Sequence, residues 1–199
     1  MSRYNNLFKE IQKRKPMTIM EIGVYDGQHA YEMIKFAQRF VGSVRYFGFD
    51  LFEDITPEII KEENSKSKIF KQRDIENKLD KTGQFYKLYK GFTKDTLPKF
   101  IKYAKEHKLN IDFIFIDGGH SIETIKNDWF YVQKLMHKET VVLFDDYYFD
   151  NNTLGCAALI DTLINNPDSA YEVEPLQPID SFQKDGWVQH TQMVKVTLL

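Results

Sequence analysis

The chain has 199 residues, of which 42% are apolar and 15% aromatic, so it is long and apolar enough to form the core of one domain. Its 27 basic and 29 acidic residues give a net charge of −2, which argues against a nucleic-acid partner, because phosphate binding needs a concentrated basic surface. The one cysteine, Cys156, excludes an intramolecular disulfide and a cysteine-based zinc site.

The first residues and the apolar runs argue against export and membrane insertion. Residues 1–16 are polar and basic and lack the apolar core of a secretory signal. No apolar run reaches the ~18 residues that a membrane-spanning helix needs. We therefore expect a cytoplasmic protein without a membrane partner. We also expect one domain over residues 1–199, with 1–16 as an N-terminal helical extension, and the sequence is compatible with a homo-oligomer.

Strand and helix patterns alternate along the chain. Short apolar runs predict strands at residues 18–22, 44–49, 85–89, 111–116 and 140–144. Apolar stripes with helical spacing lie between or after them, at residues 30–41, 97–104, 122–136 and 154–164, and Pro57 can open a further helix. Strands that alternate with helices imply βαβ units and a mostly parallel sheet flanked by helices.

The end of the chain departs from this alternation. Strands are predicted around residues 171–174 and 192–198, with no room for a helix between them. This spacing predicts a terminal hairpin with one antiparallel strand. Residues 175–190, which include Trp187, are predicted to be a polar loop.

A second departure is the segment that follows Pro57. Residues 61–81 are rich in lysine and glutamate, which predicts a solvated helix. The segment from 57 to 81 is longer than a minimal crossover needs. Two roles stay open for it: a lid over the functional site, or a contact with a partner subunit.

Ligands of open α/β sheets bind beyond the carboxyl ends of the strands. Polar or flexible residues follow each strand of the alternating part, namely Glu21 to Gly27, Asp50, Gly91-Phe92-Thr93, Asp117-Gly118-Gly119-His120 and Asp145-Asp146. A purely structural protein has no need of such residues at one edge of every strand. We therefore place the candidate functional site at this edge.

The first of these turns, Glu21-x-Gly23-x-x-x-Gly27, favours ligand binding. Its glycines permit close approach of the backbone to a ligand, but it lacks the third glycine and the spacing of the pyrophosphate-binding GxGxxG motif. Glu21 suits a cationic or amino-bearing ligand, and Asp50 lies where an acid of such folds binds a ribose diol. The glycine pair alone is compatible with a structural turn, and its combination with Asp50 favours a ligand.

This motif resembles the cofactor motif of class I S-adenosylmethionine-dependent methyltransferases. The resemblance covers nearly the whole chain and implies their Rossmann-like three-layer α/β sandwich, with a seven-stranded, mostly parallel sheet of order 3-2-1-4-5-7-6 whose last strand is antiparallel. In that family the glycine turn holds the methionine part of S-adenosylmethionine, and the acid after the second strand binds the ribose hydroxyls. The resemblance implies cofactor contacts from Glu21, Gly23, Tyr25, Gly27, Asp50 and Leu51, from Gly91, Phe92 and Thr93 near the adenine, and from Asp117 and Gly118.

A more specific resemblance lies in residues 111–123, IDFIFIDGGHSIE. They are similar to the Asp-Gly-x-His segment of a small-molecule group that includes macrocin O-methyltransferase-like enzymes. These enzymes, like catechol O-methyltransferases, are typically magnesium-dependent. Their metal is held by an acid after the fourth strand and by an acidic pair, or an acid plus Asn, after the fifth. Asp117, Asp145 and Asp146 match those positions, which implies Mg²⁺ as a second cofactor.

A physical argument from the residues supports the same metal site. Neighbouring strands lie about 4.8 Å apart, which crowds Asp117, Asp145 and Asp146 into one space. Two like charges about 4 Å apart repel by about 4 kcal/mol at an effective dielectric constant near 20. Either one carboxyl stays protonated or a cation lies among them, and three hard oxygen ligands suit Mg²⁺. The alternative is that Asp145-Asp146 caps a turn and faces solvent.

His120 and Asp117 are the candidate catalytic residues. His120 is predicted to act as general base on the hydroxyl of a metal-bound substrate, because neutral imidazole titrates near working pH. Catechol-type relatives carry a lysine at the corresponding position, and His120 can instead cap the next helix or pack on the adenine. Trp187 and the run 147–149 (Tyr-Tyr-Phe) are candidates for the wall of an acceptor pocket, or for packing.

The sequence therefore predicts an enzyme that transfers the methyl group of S-adenosylmethionine to a hydroxyl of a small molecule, with Mg²⁺ assistance. Two alternatives stay open: an NAD(P)-dependent oxidoreductase, which Asp50 allows, and a non-catalytic S-adenosylmethionine-binding protein. A nucleic-acid methyltransferase is disfavoured, because the sequence has neither the Asn/Asp-Pro-Pro-Tyr loop nor a basic stripe. A sugar, a phenol and an amino-sugar hydroxyl all fit the same acids.

Overall fold

A seven-stranded sheet forms the centre of the protein. The computed structural model describes residues 2–63, 68–149, 151–184 and 186–199. The strands are β1 (Thr18–Ile22), β2 (Arg45–Asp50), β3 (Phe85–Lys90), β4 (Phe113–Ile116), β5 (Val141–Tyr148), β6 (Tyr171–Lys184) and β7 (Trp187–Leu198). Their order is β3-β2-β1-β4-β5-β7-β6; the first five are parallel, and β7 runs antiparallel to β5 and β6. The predicted fold class and strand order are confirmed.

Helices cover both faces of this sheet and complete three layers. The helices are α1 (Asn5–Arg14), α2 (Gln28–Val41), α3 (Pro57–Glu62), α4 (Gln72–Leu79), α5 (Thr93–Glu106), α6 (Ile122–Val132) and α7 (Ala157–Ile164). One face packs against α5, α6 and α7, and the other against α1, α2 and α4. None of the helices in the described ranges is long and apolar enough to cross a membrane.

The central strand β4 shows why the predicted strands are apolar throughout. Its side chains Ile114 and Ile116 belong to the core on one face of the sheet. Phe113 and Phe115 belong to the core on the other face. Successive side chains of a strand point to opposite faces, so a strand covered by helices on both sides must be apolar at every position.

The predicted loop over residues 175–190 is wrong. Pairing between β6 and β7 is continuous from Tyr171 opposite Leu198 to Lys184 opposite Trp187, apart from a register shift between Leu176 and Asp180. The prolines that favoured a loop do not prevent pairing, because β6 is an edge strand and proline is tolerated at sheet edges.

The single solvated helix predicted over residues 61–81 is also wrong. The segment forms two short helices, α3 and α4, and residues 64–67 lie outside the described residues. Helix α3 begins after Thr56, whose hydroxyl accepts a hydrogen bond from the amide of Ile59 at 3.4 Å. Helix α4 buries Ile75 and Leu79 in the core that α2 also covers, so it is a packed element.

The helix predicted before the first strand is present as α1. It buries Leu7 and Ile11 and packs against α2. The residues that precede it are packed as well: Arg3 is 6% exposed. This segment reaches the edge of the sheet at which the candidate site lies.

Candidate active site

A cavity of about 150 Å³ lies at the carboxyl ends of β1, β2 and β4. Most of the residues predicted to bind a cofactor line it, namely Gly23, Tyr25, Asp50, Leu51, Gly91, Phe92, Thr93, Asp117 and Gly118. Glu21 and Gly27 are not part of its lining. The turns after the first four strands therefore converge on one space, as the sequence predicted.

The turn after β1 is pressed against the turn after β4. Gly23 has a φ of +89°, and a Cβ atom added to it would lie 2.0 Å from the carbonyl oxygen of Asp117. The amide of Gly23 donates to the carbonyl of Phe49 at 2.9 Å, and the amide of Asp117 donates to the carbonyl of Ile22 at 2.8 Å. Only glycine fits this position, because both the space and the backbone conformation exclude a side chain.

Asp50, at the end of β2, is hydrogen-bonded to the turn after β1. Its Oδ2 accepts the amide of Tyr25 at 2.8 Å, and its Oδ1 accepts the amide of Phe52 at 2.8 Å. Each carboxylate oxygen has two lone pairs, so each can accept one further hydrogen bond from a ligand in the cavity.

Glu21 lies on the other side of β1 from the cavity. Its neighbour Ile22 lines the cavity, whereas Glu21 is 1% exposed and accepts a hydrogen bond from the hydroxyl of Tyr46. Burial raises the pKa of Glu21 to about 8, which the Tyr46 hydrogen bond only partly offsets. A direct contact of Glu21 with a ligand stays a prediction. Gly27 has a φ of +70° and packs instead against Ile75 of α4.

The structure brings the three predicted metal-ligating carboxylates together. One oxygen each of Asp117, Asp145 and Asp146 lies within 4.8 Å of the others. Strand β5 continues through the acidic pair and shifts its register between Phe144 and Tyr147, and Asp146 has a φ of +59°. Such a bulge turns consecutive side chains toward one place, so the pair faces Asp117 and does not cap a turn toward solvent.

Arg3 supplies a cation to these carboxylates, which the sequence did not indicate. Its Nε lies 2.5 Å from Asp145 Oδ1 and its Nη2 lies 2.8 Å from Asp145 Oδ2. Nη2 also lies 3.6 Å from Asp146 Oδ1, and Nη1 donates to Asp180 Oδ2 at 3.2 Å. The hydroxyl of Tyr4 donates to Asp145 Oδ2 at 2.9 Å. Burial opposes the charge of Arg3, but the hydrogen bonds and charge of Asp145 raise the pKa of Arg3 above its ordinary value.

His120 is the second basic residue that contacts the carboxylate cluster. Its Nδ1 lies 3.0 Å from the carbonyl oxygen of Glu63, which can only accept, so Nδ1 carries a proton. Its Nε2 lies 2.8 Å from Asp146 Oδ2. Burial lowers the pKa of His120, but the hydrogen bond and charge of Asp146 outweigh burial and raise it overall. With Nδ1 donating to a carbonyl and Nε2 against a carboxylate, this arrangement favours the imidazolium form. The predicted role of His120 as general base therefore needs the contact with Asp146 to open.

The segment after Pro57 covers the cavity. Ile59, Glu63 and Phe70 of this segment line it. The carboxylate of Glu63 also holds the start of α6, because it accepts the amide of Ser121 at 2.8 Å and the hydroxyl of Thr124 at 2.6 Å. Of the two roles left open for this segment, these contacts favour a cover over the site. The sequence showed its length but not the partners of Glu63.

Asp128 of α6 is a further acid at the cavity that sequence reasoning missed. It is fully buried and lines the cavity beside Thr93. Its Oδ1 accepts from Asn127 Nδ2 at 3.2 Å, whereas its Oδ2 has no hydrogen-bond partner among the described residues. Burial raises the pKa of Asp128 to about 7. The sequence signal was available, since an acid in an apolar helical stripe is unusual.

The aromatic residues predicted to wall an acceptor pocket have different positions. Tyr148 lies beside the carboxylate cluster, because burial and the charge of nearby Asp146 raise the pKa of its hydroxyl above the ordinary value. The hydroxyl of Tyr147 donates to Asp161 at 2.7 Å, and Phe149 is exposed. The side chain of Trp187 lies outside what the structure describes.

Gly23→Ala should destabilise the protein much more than Gly42→Ala. Both glycines have positive φ, but a Cβ at Gly42 would meet nothing within 4 Å. We expect Gly42→Ala to lower the free energy of unfolding by about 1 kcal/mol, from backbone conformation alone. Gly23→Ala should cost about 3 kcal/mol or more, because the backbone of Asp117 must also move. Urea denaturation measures both, and equal losses would contradict the close contact of the two turns.

Glu21→Gln should become increasingly stabilising, relative to the wild type, as the pH rises. Glu21 has a pKa of about 8 in the folded protein and about 4.5 in the unfolded chain, so between these values the folded state binds the additional proton. Wild-type stability therefore falls with rising pH in this window, by at most about 1.4 kcal/mol per pH unit from this group. We expect urea denaturation from pH 5 to 9 to show a growing difference in the free energy of unfolding between Glu21→Gln and the wild type. This difference should level off above about pH 8.

Glu106→Gln is the control for this measurement, because Glu106 is exposed on α5. This variant shows how much the free energy of unfolding changes when an exposed carboxyl group is replaced by an amide. A flat profile for Glu21→Gln would mean that Glu21 ionises in the folded protein as it does in water.

Comparisons with known proteins agree with this geometry. Residues 20–147 match a family described as a methyltransferase domain. A search of curated proteins gives no match. Among solved structures, the O-methyltransferase NovP aligns with a TM-score of 0.67 and 15% identity, over 98% of this chain and 79% of NovP.

Two further solved structures carry the methyl donor or its product. The O-methyltransferase TomG from Streptomyces achromogenes, involved in tomaymycin synthesis and solved with SAM, aligns with a TM-score of 0.63 and 13% identity, over 98% of this chain and 79% of that one. An O-methyltransferase from Bacillus cereus in complex with SAH gives a TM-score of 0.59 and 14% identity, over 98% and 80% of the two chains. At these identities the likeness concerns the fold. The family match spans more than half of the residues, and the chain belongs to the methyltransferase domain family.

Proposed function

We propose that this protein transfers the methyl group of S-adenosylmethionine to a hydroxyl of a small molecule. The proposal rests on one observation, which is that the cavity and the carboxylate cluster lie side by side and share lining residues. Asp117, Gly118 and Gly119 line the cavity that the predicted cofactor residues form, and they also line a small hollow beside Asp145 and Asp146. A methyl donor in the cavity would thus lie next to the carboxylate cluster. The family match and the SAM and SAH complexes of TomG and the Bacillus cereus enzyme support this donor.

The residues of the cavity suit the three parts of such a donor. S-adenosylmethionine supplies an activated methyl group on a sulfonium centre. The free lone pairs of Asp50 would accept hydrogen bonds from the ribose hydroxyls. The glycine backbone at Gly23 allows close approach of the methionine part, and the exposed ring of Phe92 at the cavity offers a stacking surface for the adenine.

The donor set of the carboxylate cluster fits Mg²⁺. Asp117, Asp145 and Asp146 offer hard oxygen ligands within 4.8 Å of one another, and we propose that they hold the ion. A bound Mg²⁺ would polarise the acceptor hydroxyl and lower its pKa. The carboxylates would then orient that hydroxyl toward the cavity. Positioning and electrostatics would supply most of the rate enhancement.

His120 would handle the proton of the acceptor. Because Nδ1 donates to the carbonyl of Glu63, the exchangeable position is Nε2, which faces the carboxylate cluster. Nε2 can accept a proton only when its contact with Asp146 opens. The role of Asp117 is that of a ligand at the boundary of the two sites.

The oxidoreductase alternative loses its support, because the matching family is one of methyltransferases. The acceptor stays open among sugars, phenols and amino sugars. No contact of the described residues favours one of these classes.

Calorimetric titration tests the donor. The wild type should bind S-adenosylmethionine saturably with a micromolar dissociation constant and should not bind NADH. Asp50→Ala should weaken this binding at least tenfold, because the ribose hydroxyls lose their acceptor. Asp54→Ala is the matched control: Asp54 is exposed nearby and pairs with Lys90, so its removal should change affinity less than twofold.

Methyl transfer from labelled S-adenosylmethionine to a panel of sugars, phenols and amino sugars then tests the reaction. Binding of NADH in place of the donor would refute the proposal. Donor binding without transfer to any acceptor would support the non-catalytic alternative.

A further inference from the structure

A buried ion pair with two hydrogen bonds joins the carboxylate cluster to Arg3 of the chain itself. Arg3 makes two hydrogen bonds to Asp145, and its guanidinium lies between Asp145 of β5 and Asp180 of β6. The backbone amide of Arg3 also donates to Asp180 Oδ2, at 3.1 Å. The guanidinium carbon lies 4.6 Å from the ring centroid of Tyr4 and 5.4 Å from that of Phe182. This is a formed and enclosed site for a cation.

The hydrogen bonds of Arg3 and Tyr4 occupy most of the lone pairs of Asp145 that a metal would need. Asp145 Oδ2 accepts from both Arg3 Nη2 and the hydroxyl of Tyr4, which fills its two acceptor positions. Asp145 Oδ1 lies 2.5 Å from Arg3 Nε. Mg²⁺ requires oxygen ligands at about 2.0–2.1 Å in octahedral geometry. An ion at that distance from the remaining lone pair of Asp145 Oδ1 would lie close to the guanidinium, and the two positive charges would repel.

We propose that Arg3 is the resident cation of the carboxylate cluster, and that Arg3 and a divalent metal exclude one another there. The inference rests on the proposed metal site of the proposed function. Arg3 positions Asp145 and Asp146 when the metal is absent. The metal must displace Arg3 from Asp145, which also frees the segment before α1 from Asp180 of the terminal hairpin.

Mn²⁺ binding, followed by electron paramagnetic resonance without any methyl donor, tests the exclusion. Mn²⁺ serves as the probe because it also prefers octahedral oxygen ligands. If Arg3 occupies the cluster in about nine of ten molecules, the apparent dissociation constant of the wild type is raised about tenfold. Arg3→Gln should therefore bind Mn²⁺ at least about tenfold more tightly than the wild type. Arg3→Lys should fall between them, because lysine keeps the charge without the two-pronged contact.

Arg39→Gln is the matched control, since it removes the same charge from an exposed position at the end of α2. It should leave the Mn²⁺ affinity within twofold of the wild type. Equal affinities of Arg3→Gln and the wild type, or an equal gain in Arg39→Gln, would overturn the proposal. Circular dichroism of each variant verifies folding. If Arg3→Gln does not fold, the comparison of Arg3→Lys with the wild type still tests the proposal.

Trypsin provides a readout of displacement in the unaltered protein. The peptide bond after Arg3 is protected while its side chain is buried. Mn²⁺ should accelerate cleavage at this bond, seen by mass spectrometry, if the metal releases Arg3; an unchanged rate at saturating Mn²⁺ would contradict displacement. Donor binding is measured separately in the same samples, so failure of the methyl-donor proposal is distinguishable from failure of the exclusion.

Discussion

Repulsion among three carboxylates is the constraint around which the site is built. Parallel pairing of β4 with β5, together with the bulge in β5, brings Asp117, Asp145 and Asp146 within 4.8 Å. Each close pair of like charges costs about 4 kcal/mol at an effective dielectric constant near 20, which is large beside the 5–15 kcal/mol that typically stabilises a domain. Burial and the charges of its two neighbours accordingly raise the pKa of Asp117 well above its ordinary value. The repulsion must be relieved by protonation or by cations, and the chain places the basic side chains of Arg3 and His120 against these carboxylates.

This requirement explains why distant parts of the chain meet at one edge of the sheet. Arg3 comes from the segment before α1 and bridges β5 to β6 through Asp145 and Asp180. His120 is oriented by the carbonyl of Glu63, whose carboxylate also holds the start of α6. The same carboxylate cluster therefore contacts three separate parts of the chain, directly or through Arg3 and His120. These are the cover over the cavity, the segment before α1 and the terminal hairpin. The cavity and the carboxylate cluster meet at Asp117.

Local sequence patterns predicted the strands and the edge of the sheet that carries the site, because one physical rule decided the position of each residue involved. Apolar runs marked the strands, and the carboxyl ends of parallel strands share one edge, so Asp50, Asp117 and Asp145 could be assigned to one region before the structure was known. Glu21 shows the limit of this reasoning. Alternation of side chains along β1 turns Glu21 away from the face that Ile22 presents to the cavity, and a motif on one strand does not reveal which face lies next to the ligand.

The sequence by itself determined the alternation of strands and helices and the acids at the strand ends, because these follow from periodicities and short motifs within single elements. The strand order and the family followed from the resemblance of those motifs to class I methyltransferases. Tertiary structure alone decided which cation those acids meet and what covers the cavity. Arg3 and Asp145 are separated by 142 positions, and the hairpin of β6 and β7 replaces a predicted loop through pairing with a distant partner. Such contacts depend on where the packed elements place their side chains, and no local pattern encodes that position.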